Sequence, residues 1–300
     1  MKRARIAAVR YLNTAPLIEG LEKLADVELI PSVPSRIVDM LADGSADLGL
    51  ASIVDAVQSP VPLTLMPVGM IGCDGPTMTV RIFSTRPLEQ IRDLYADEDS
   101  HTSVILAQVL LWRLYGIRPR IVGFCARERL ARGEAPAATL EESWPESVLL
   151  IGDKVVTDAP PAERYPYQMD LGASWKQLTG MPFVYAMWMC RRGEEGLAHV
   201  QAAAVVLERQ RRHNATRLDW LVGMRAGPAR WPAALAREYL GSLLRYQVGV
   251  RERAAAEHFL ESAAELGLVA RRSVEWARVP AELSSQPGSN GQLMAAERAP

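Results

Sequence analysis

Over the first sixty residues, apolar β-branched runs alternate with capped helical segments, and this alternation constrains the fold more than any other feature of the chain. Residues 5–12 ("RIAAVRYL") read as a buried strand that stops on Asn13 and Thr14. Pro16 then sits in a first helical turn, and Leu17, Ile18, Leu21 and Leu24 follow at helical spacing. "VELI" reads as a second strand. Ile37, Val38, Met40 and Leu41 repeat helically until Gly44, and "ADLGLAS" reads as a third strand ending on Ser52. Such alternation implies an α/β fold with a parallel sheet, because parallel neighbours need a crossover and cannot be joined by a hairpin.

The texture changes over residues 59–80 ("SPVPLTLMPVGMIGCDGPTMTV"), where Pro and Gly favour extended segments and turns over helix. A second alternation follows. "TVRIFS" reads as a strand, "RPLEQIRDL" as a short helix and "SHTSVILAQVLLWRLYG" as a long helix with polar caps at its start and Gly116 at its end. "VLLIGD" (148–153) is a buried strand ending in Gly-Asp, and "FVYAMWMC" (183–190) is a continuous apolar run suited to a fully buried strand. Beyond it the chain is helical and Ala-rich. The tail from about Pro280 mixes Ser, Pro, Gly and Asn without period and is expected to be disordered.

A chain of 300 residues with 49% hydrophobic content favours two cores of ordinary size, hence two lobes. A net charge of −1 offers no global positive field for nucleic acid or an anionic membrane surface. Cys73, Cys125 and Cys190 are widely spaced without a CxxC pair, which argues against a zinc site and fits a reducing compartment. The positive start at Lys2, Arg3 and Arg5 is followed by a run broken by Arg10 and Asn13, a poor signal peptide. No stretch reaches the roughly 18 apolar residues of a membrane span. The expectation is a soluble, cytoplasmic protein.

Four polar clusters lie where a strand ends or a helix begins: Asn13-Thr14, Ser52, Thr102-Ser103 and Gly152-Asp153. Each can be a cap or turn device. Open parallel sheets, however, bind ligands beyond the carboxyl ends of their strands, and helix N-termini favour anions. Jointly the clusters point to a cleft for a small carboxylate. His101, His199, His213 and His258 are scattered without a metal-ligand spacing, and no phosphate-binding Gly-rich loop or GxSxG elbow occurs. The basic run "ERQRRHN" reads as a solvated helix end. Trp112, Trp175 and Trp188 have core packing as their default role, and Trp188, in the buried strand, is the one placed to face a ligand.

"YLNTAPL", "DEDSHTSVIL", "LLIGD" and "DLGASWKQLTGMPFVYAMW" occur in that order, and from about residue 5 to 270 the chain resembles the menaquinone-biosynthesis family whose best-known activity is chorismate dehydratase, in the futalosine route. The resemblance implies a two-lobed, periplasmic-binding-protein-like fold of type II with two hinge crossings. Residues 1–82 and 184–278 would form one lobe, 83–183 the other, and 279–300 the tail. It also implies removal of water from chorismate to give 3-[(1-carboxyvinyl)oxy]benzoate, with neither metal nor organic cofactor.

Carried onto this chain, the resemblance makes Asn13 the expected catalytic residue, with Asp153 a second candidate at the cleft rim. Tyr11, Thr14, Ser52, Thr79, Thr102, Ser103, Gly152 and Trp188 are the expected substrate contacts. Thr79 stands where Ser is expected in "GPTMTV", and "GDKVV" and "TGMPF" also depart from the family's usual residues. No motif contains a His or Glu suited to act as base. Either Asp153 or another acid takes the proton, or the substrate's own side-chain carboxylate does so intramolecularly, the reading favoured here. Two rivals share the fold: a non-catalytic small-carboxylate binding protein, and the dihydroxynaphthoate-forming enzyme of the same pathway. A regulator's effector domain would need a DNA-binding helix-turn-helix, for which residues 1–5 leave no room.

Overall fold

A computed structural model describes residues 2–97, 100–124 and 144–278. The chain begins with β1 (Ala4–Ala8), a 3-10 turn (Leu12–Thr14) and the one-turn helix α1 (Ala15–Ile18). Then come β2 (Val27–Pro31), α2 (Pro34–Ala42), β3 (Leu48–Ser52), α3 (Asp55–Gln58) and the long β4 (Leu63–Cys73). The middle of the chain supplies β5 (Val80–Ser84), β6 (Asp93–Asp97), α4 (His101–Tyr115), β7 (Arg120–Phe124) and β8 (Ser147–Ile151). It continues through α5 (Lys154–Thr157), β9 (Tyr167–Asp170) and α6 (Leu171–Thr179). After β10 (Phe183–Arg191) follow α7 (Ala198–Ala215), α8 (Leu218–Arg225), α9 (Ala233–Glu238), a π-helical turn (Tyr239–Leu243), β11 (Leu244–Arg245), α10 (Val250–Glu265) and β12 (Glu275–Trp276).

These strands form two sheets, each fed by helices. The first has the order β11-β4-β10-β3-β1-β2, with β12 pairing β4; the second has the order β7-β6-β8-β5-β9. The expected parallel pairing holds for β1 with β2 and β3, and for β6 with β7 and β8. It fails where the chain changes sheet. β10 is antiparallel to both β3 and β4, and β5 is antiparallel to β8 and β9. The reason is the path: the chain leaves the first sheet along β4 and re-enters along its neighbour β10, pairing Phe183 with Cys73 and Arg191 with Leu63. No helical crossover intervenes within that sheet to make the two run the same way.

Two helices expected from spacing are shorter than their periodicity. The run from Leu17 to Leu24 is split at Gly20, which takes φ +89 and packs against Gln210, leaving α1 and a separate 3-10 turn at Leu21–Lys23. "RPLEQIRDL" keeps only a 3-10 turn at Leu88–Gln90, ended by β6 at Asp93. The long helix is as expected. Ser100 caps α4 by accepting the Ser103 N–H, and Gly116 closes it at φ +70.

Buried side chains of both sheets merge behind the crossing strands. Trp175 of α6 meets Phe183 edge-on at 5.4 Å and Phe259 of α10 at 5.7 Å. Each such ring contact contributes about 0.5–1.5 kcal/mol beyond its burial. Cys73 and Cys190 are free and buried, and burial pushes their thiols up to about 11 and about 12. Cys125 and the tail from residue 279 lie outside the described residues.

Candidate active site

The carboxyl ends of β1, β3 and β8 meet the start of α4 and the start of β5 at one cleft between the sheets. Tyr11, Asn13, Ser52, Thr79, Thr102, Ser103 and Gly152 all line it. Each stands at the end or beginning of an element: Tyr11, Asn13, Ser52 and Gly152 where strands end, Thr102 and Ser103 where α4 begins, and Thr79 just before β5. Gly152 takes φ +66, and a Cβ on it would lie 3.8 Å from the Tyr11 ring.

Three of the expected residues are placed elsewhere. Thr14 is fully buried, and its hydroxyl donates to Val9 O at 2.9 Å and Tyr11 O at 2.7 Å. It therefore locks the turn that presents Asn13 and does not face the cavity. Asp153 lies one step outward, in an adjoining pocket with Arg10, Glu19, Glu22 and Arg225. Its carboxylate accepts the Leu12 N–H at 3.4 Å and the Trp231 indole N–H at 3.0 Å, tying the second sheet's rim to the first. Burial raises the Asp153 carboxyl, while the Leu12 and Trp231 donors pull it down. Trp188 packs in a core cluster with Leu50, Met66 and Ile71 and is wholly buried, because the same cluster takes in Leu17 and Ile18 of α1 and Val200, Ala203 and Leu207 of α7. The expectation that it contacts substrate is corrected by this packing.

The remaining hydroxyls are organised by partners that the motifs did not single out. Thr102 donates to Tyr185 O at 3.0 Å, joining α4 of the second sheet's half to β10 of the first sheet. Thr77 Oγ1 lies 2.7 Å from the Tyr185 hydroxyl and 3.2 Å from Cys73 Sγ. Thr79 Oγ1 lies 2.6 Å from the Tyr239 hydroxyl. Tyr185, Tyr239, Thr77 and Ser100 line the same cleft. Tyr185 was readable only as part of the apolar "FVYAMW" run, and Tyr239 sat inside an ordinary helical pattern. Neither gave a polar signal.

Among the described residues that line the cleft there is no Asp, Glu, His, Lys or Arg. The Asn13 carbonyl oxygen is buried without a hydrogen-bond partner there. Such a wall can hold an anion only through hydroxyls, amides and the N-terminal dipole of α4. Among the described residues, no group of three His, Cys, Asp or Glu side chains is placed to hold a metal ion, and no helix is long and apolar enough to cross a membrane.

This arrangement is that of the periplasmic-binding-protein-like folds. A protein of Archaeoglobus fulgidus superposes with a TM-score of 0.68, at 13% identity over 89% of this chain and 98% of that one. The aliphatic sulphonate binding protein of Escherichia coli gives 0.61, at 14% identity over 90% and 94%. A Candida albicans protein described as having the generic periplasmic binding protein fold gives 0.54, at 9% identity over 91% and 92%. Sequence narrows the class further: the family described as menaquinone biosynthesis matches residues 4–265, and the chain belongs to it. A chorismate dehydratase of Thermus thermophilus is 28% identical over 61% of this chain and 68% of its own length.

Proposed function

We propose that this chain is a chorismate dehydratase: a cytoplasmic carbon–oxygen lyase that eliminates water from chorismate to form 3-[(1-carboxyvinyl)oxy]benzoate in menaquinone biosynthesis. The observation that carries the reading is the convergence of Asn13, Ser52, Thr79 and the start of α4 on one uncharged cleft, in a chain similar to a chorismate dehydratase. Residues 1–82 and 184–278 act as one lobe and 83–183 as the other, with substrate between them.

The ring carboxylate of chorismate is vinylogous to the C3 proton, so negative charge moves onto it as that proton leaves. The Ser103 hydroxyl and the backbone N–H groups that open α4 stabilise that charge where it develops. The C3–H electron pair becomes the new ring double bond as the C4–O bond breaks, and the departing hydroxide leaves as water with the abstracted proton. Since the described wall carries no ionisable carboxylate or imidazole, the proton goes to the substrate's own side-chain carboxylate. Intramolecular placement supplies much of the rate through effective molarity. Tyr11, Ser52, Thr79 and Gly152 shape the pocket, and Asn13 orients the substrate.

Incubating the purified protein with chorismate tests the reading. Loss of the diene absorbance with a product lighter by one water supports it. Tight binding without conversion would instead identify a small-carboxylate binding protein.

A further inference from the structure

Met78 takes φ +69, one of two non-glycine residues with positive φ among those described. An L side chain is strained there, and such strain persists only where neighbours over-determine it. The neighbour here is Asp170, the last residue of β9, which is not among the residues lining the cleft. Its Oδ2 accepts the Met78 N–H at 2.6 Å and the Thr77 N–H at 3.2 Å. Its Oδ1 accepts the Thr77 N–H at 2.9 Å and, as the cap of α6, the Ala173 N–H at 3.0 Å. Arg81 Nη2 lies 3.7 Å from Oδ2 and offsets the charge. Two successive backbone N–H groups closing on one carboxylate form an anion nest, filled here from within the chain.

The turn so held leads from β4 to β5 and carries a cleft residue on each side of Met78. Thr77 Oγ1 meets the Tyr185 hydroxyl at 2.7 Å, and Thr79 Oγ1 meets the Tyr239 hydroxyl at 2.6 Å. Thr79 O accepts the Gly152 N–H at 2.8 Å, and all five of these residues line the cleft. We propose that Asp170 is a positioning residue: by holding Met78 in the left-handed turn it sets Thr77 and Thr79 on the cleft wall, and with them the hydroxyl pairs offered to substrate. This rests on the proposed function and adds to it a residue that acts without touching substrate. Without that carboxylate Met78 relaxes toward negative φ, and the chain on either side turns with it.

Asn caps a helix as well as Asp does, but its single acceptor oxygen cannot serve all three N–H groups. Asp170→Asn therefore separates the turn from the α6 cap. It should raise KM for chorismate about tenfold, with kcat per folded protein within about threefold, as for lost binding contacts. Mere loss of folded protein lowers apparent kcat and leaves KM alone. Glycine adopts positive φ without strain, so in the Met78→Gly background the same Asp170→Asn change should raise KM less than about threefold. Met78→Val keeps Asp170 and the α6 cap but strains the turn further, so it should reproduce the roughly tenfold rise, and it serves if Asp170→Asn fails to fold.

A second arm needs no substrate. With 15N in methionine only, the Met78 amide is assigned by its loss in Met78→Leu. It should exchange slowly with solvent in the parent protein and at least about tenfold faster in Asp170→Asn. An unchanged KM in folded Asp170→Asn, an equal rise in both backgrounds, or an unchanged Met78 exchange rate overturns the proposal. If exchange responds as expected but the parent protein neither binds nor turns over chorismate, the functional reading falls and the fixing of the turn by Asp170 stands.

Discussion

The His101 imidazole Nδ1 lies 2.8 Å from the Asp55 carboxylate, joining the first turn of α4 to α3 of the other sheet, one residue from the cleft-lining Ser100 and Thr102. The bond to Asp55 raises the His101 pKa against the lowering effect of burial, with Asp39 adding a smaller raise. A raised folded pKa means that the pair's stabilisation is fully present below the unfolded value and is lost as pH rises through the folded one. His101→Gln should therefore lower Tm most below pH 6.5, the ordinary imidazole value, with the gap to the parent protein narrowing above it. For a pair whose imidazole is about one-third exposed, a loss of roughly 1 kcal/mol is expected. Thermal melts of both proteins from pH 5.5 to 8.5 check this, and a gap that widens with pH contradicts it.

Asp153 is bound on both oxygens, by Leu12 N–H and by the Trp231 indole, and it sits outside the cleft that holds Asn13. Asp153→Asn should keep turnover within about tenfold of the parent protein, whereas losing a general base costs about 10²–10⁴. The larger effect should appear in KM, because an amide cannot accept from both donors and the rim loosens. Abolished kcat with normal substrate binding would make Asp153 the base and displace the substrate carboxylate from that role.

The βα alternation, the capped α4 and the fully apolar β10 were all legible, since each depends on local pattern. The split of the first helix at Gly20 was not, because the left-handed turn there is accompanied by a long-range contact, Gln210 of α7 donating to Glu19 O. The antiparallel setting of β10 was equally hidden, as it follows from the route between sheets and not from residue type. At the candidate site, residues announced by a strand end or a helix start converged: Asn13, Ser52, Thr102, Ser103 and Gly152. Thr14 carried the same sequence signal but spends its hydroxyl on two carbonyls. Tyr239 carried no signal, because a tyrosine in an amphipathic segment looks like core until a π-turn rotates it into the cleft.

Close packing at the crossing makes Gly172 irreplaceable. A Cβ there would fall on Thr77 Oγ1 and come within 2.6 Å of both Cys73 Sγ and Gly75 O. Gly172→Ala must push apart the Cys73, Thr77 and Tyr185 contacts, at a cost of about 1–3 kcal/mol for an overpacked core site. Thr77→Val should cost a similar roughly 1–3 kcal/mol by the opposite route, leaving the buried Tyr185 hydroxyl without its partner. Urea midpoints of the two variants measure both effects. A Gly172→Ala protein as stable as the parent would show that α6 is not pressed against the crossing.

Trp188 gives the sharpest separation between packing and binding. Its indole N–H is buried without a partner among the described residues, 3.2 Å from where a Cβ on Gly69 would sit, and Gly69 itself takes φ +140. Trp188→Phe removes an unsatisfied donor together with ring volume, so the two effects partly offset and stability should fall by about 1–2 kcal/mol. The cleft wall is built by Tyr185 and Ala186 of the same strand, whose backbone the smaller ring need not move. Turnover of chorismate should then stay within about threefold of the parent. A hundredfold loss of kcat in a variant that remains folded would return Trp188 to the substrate.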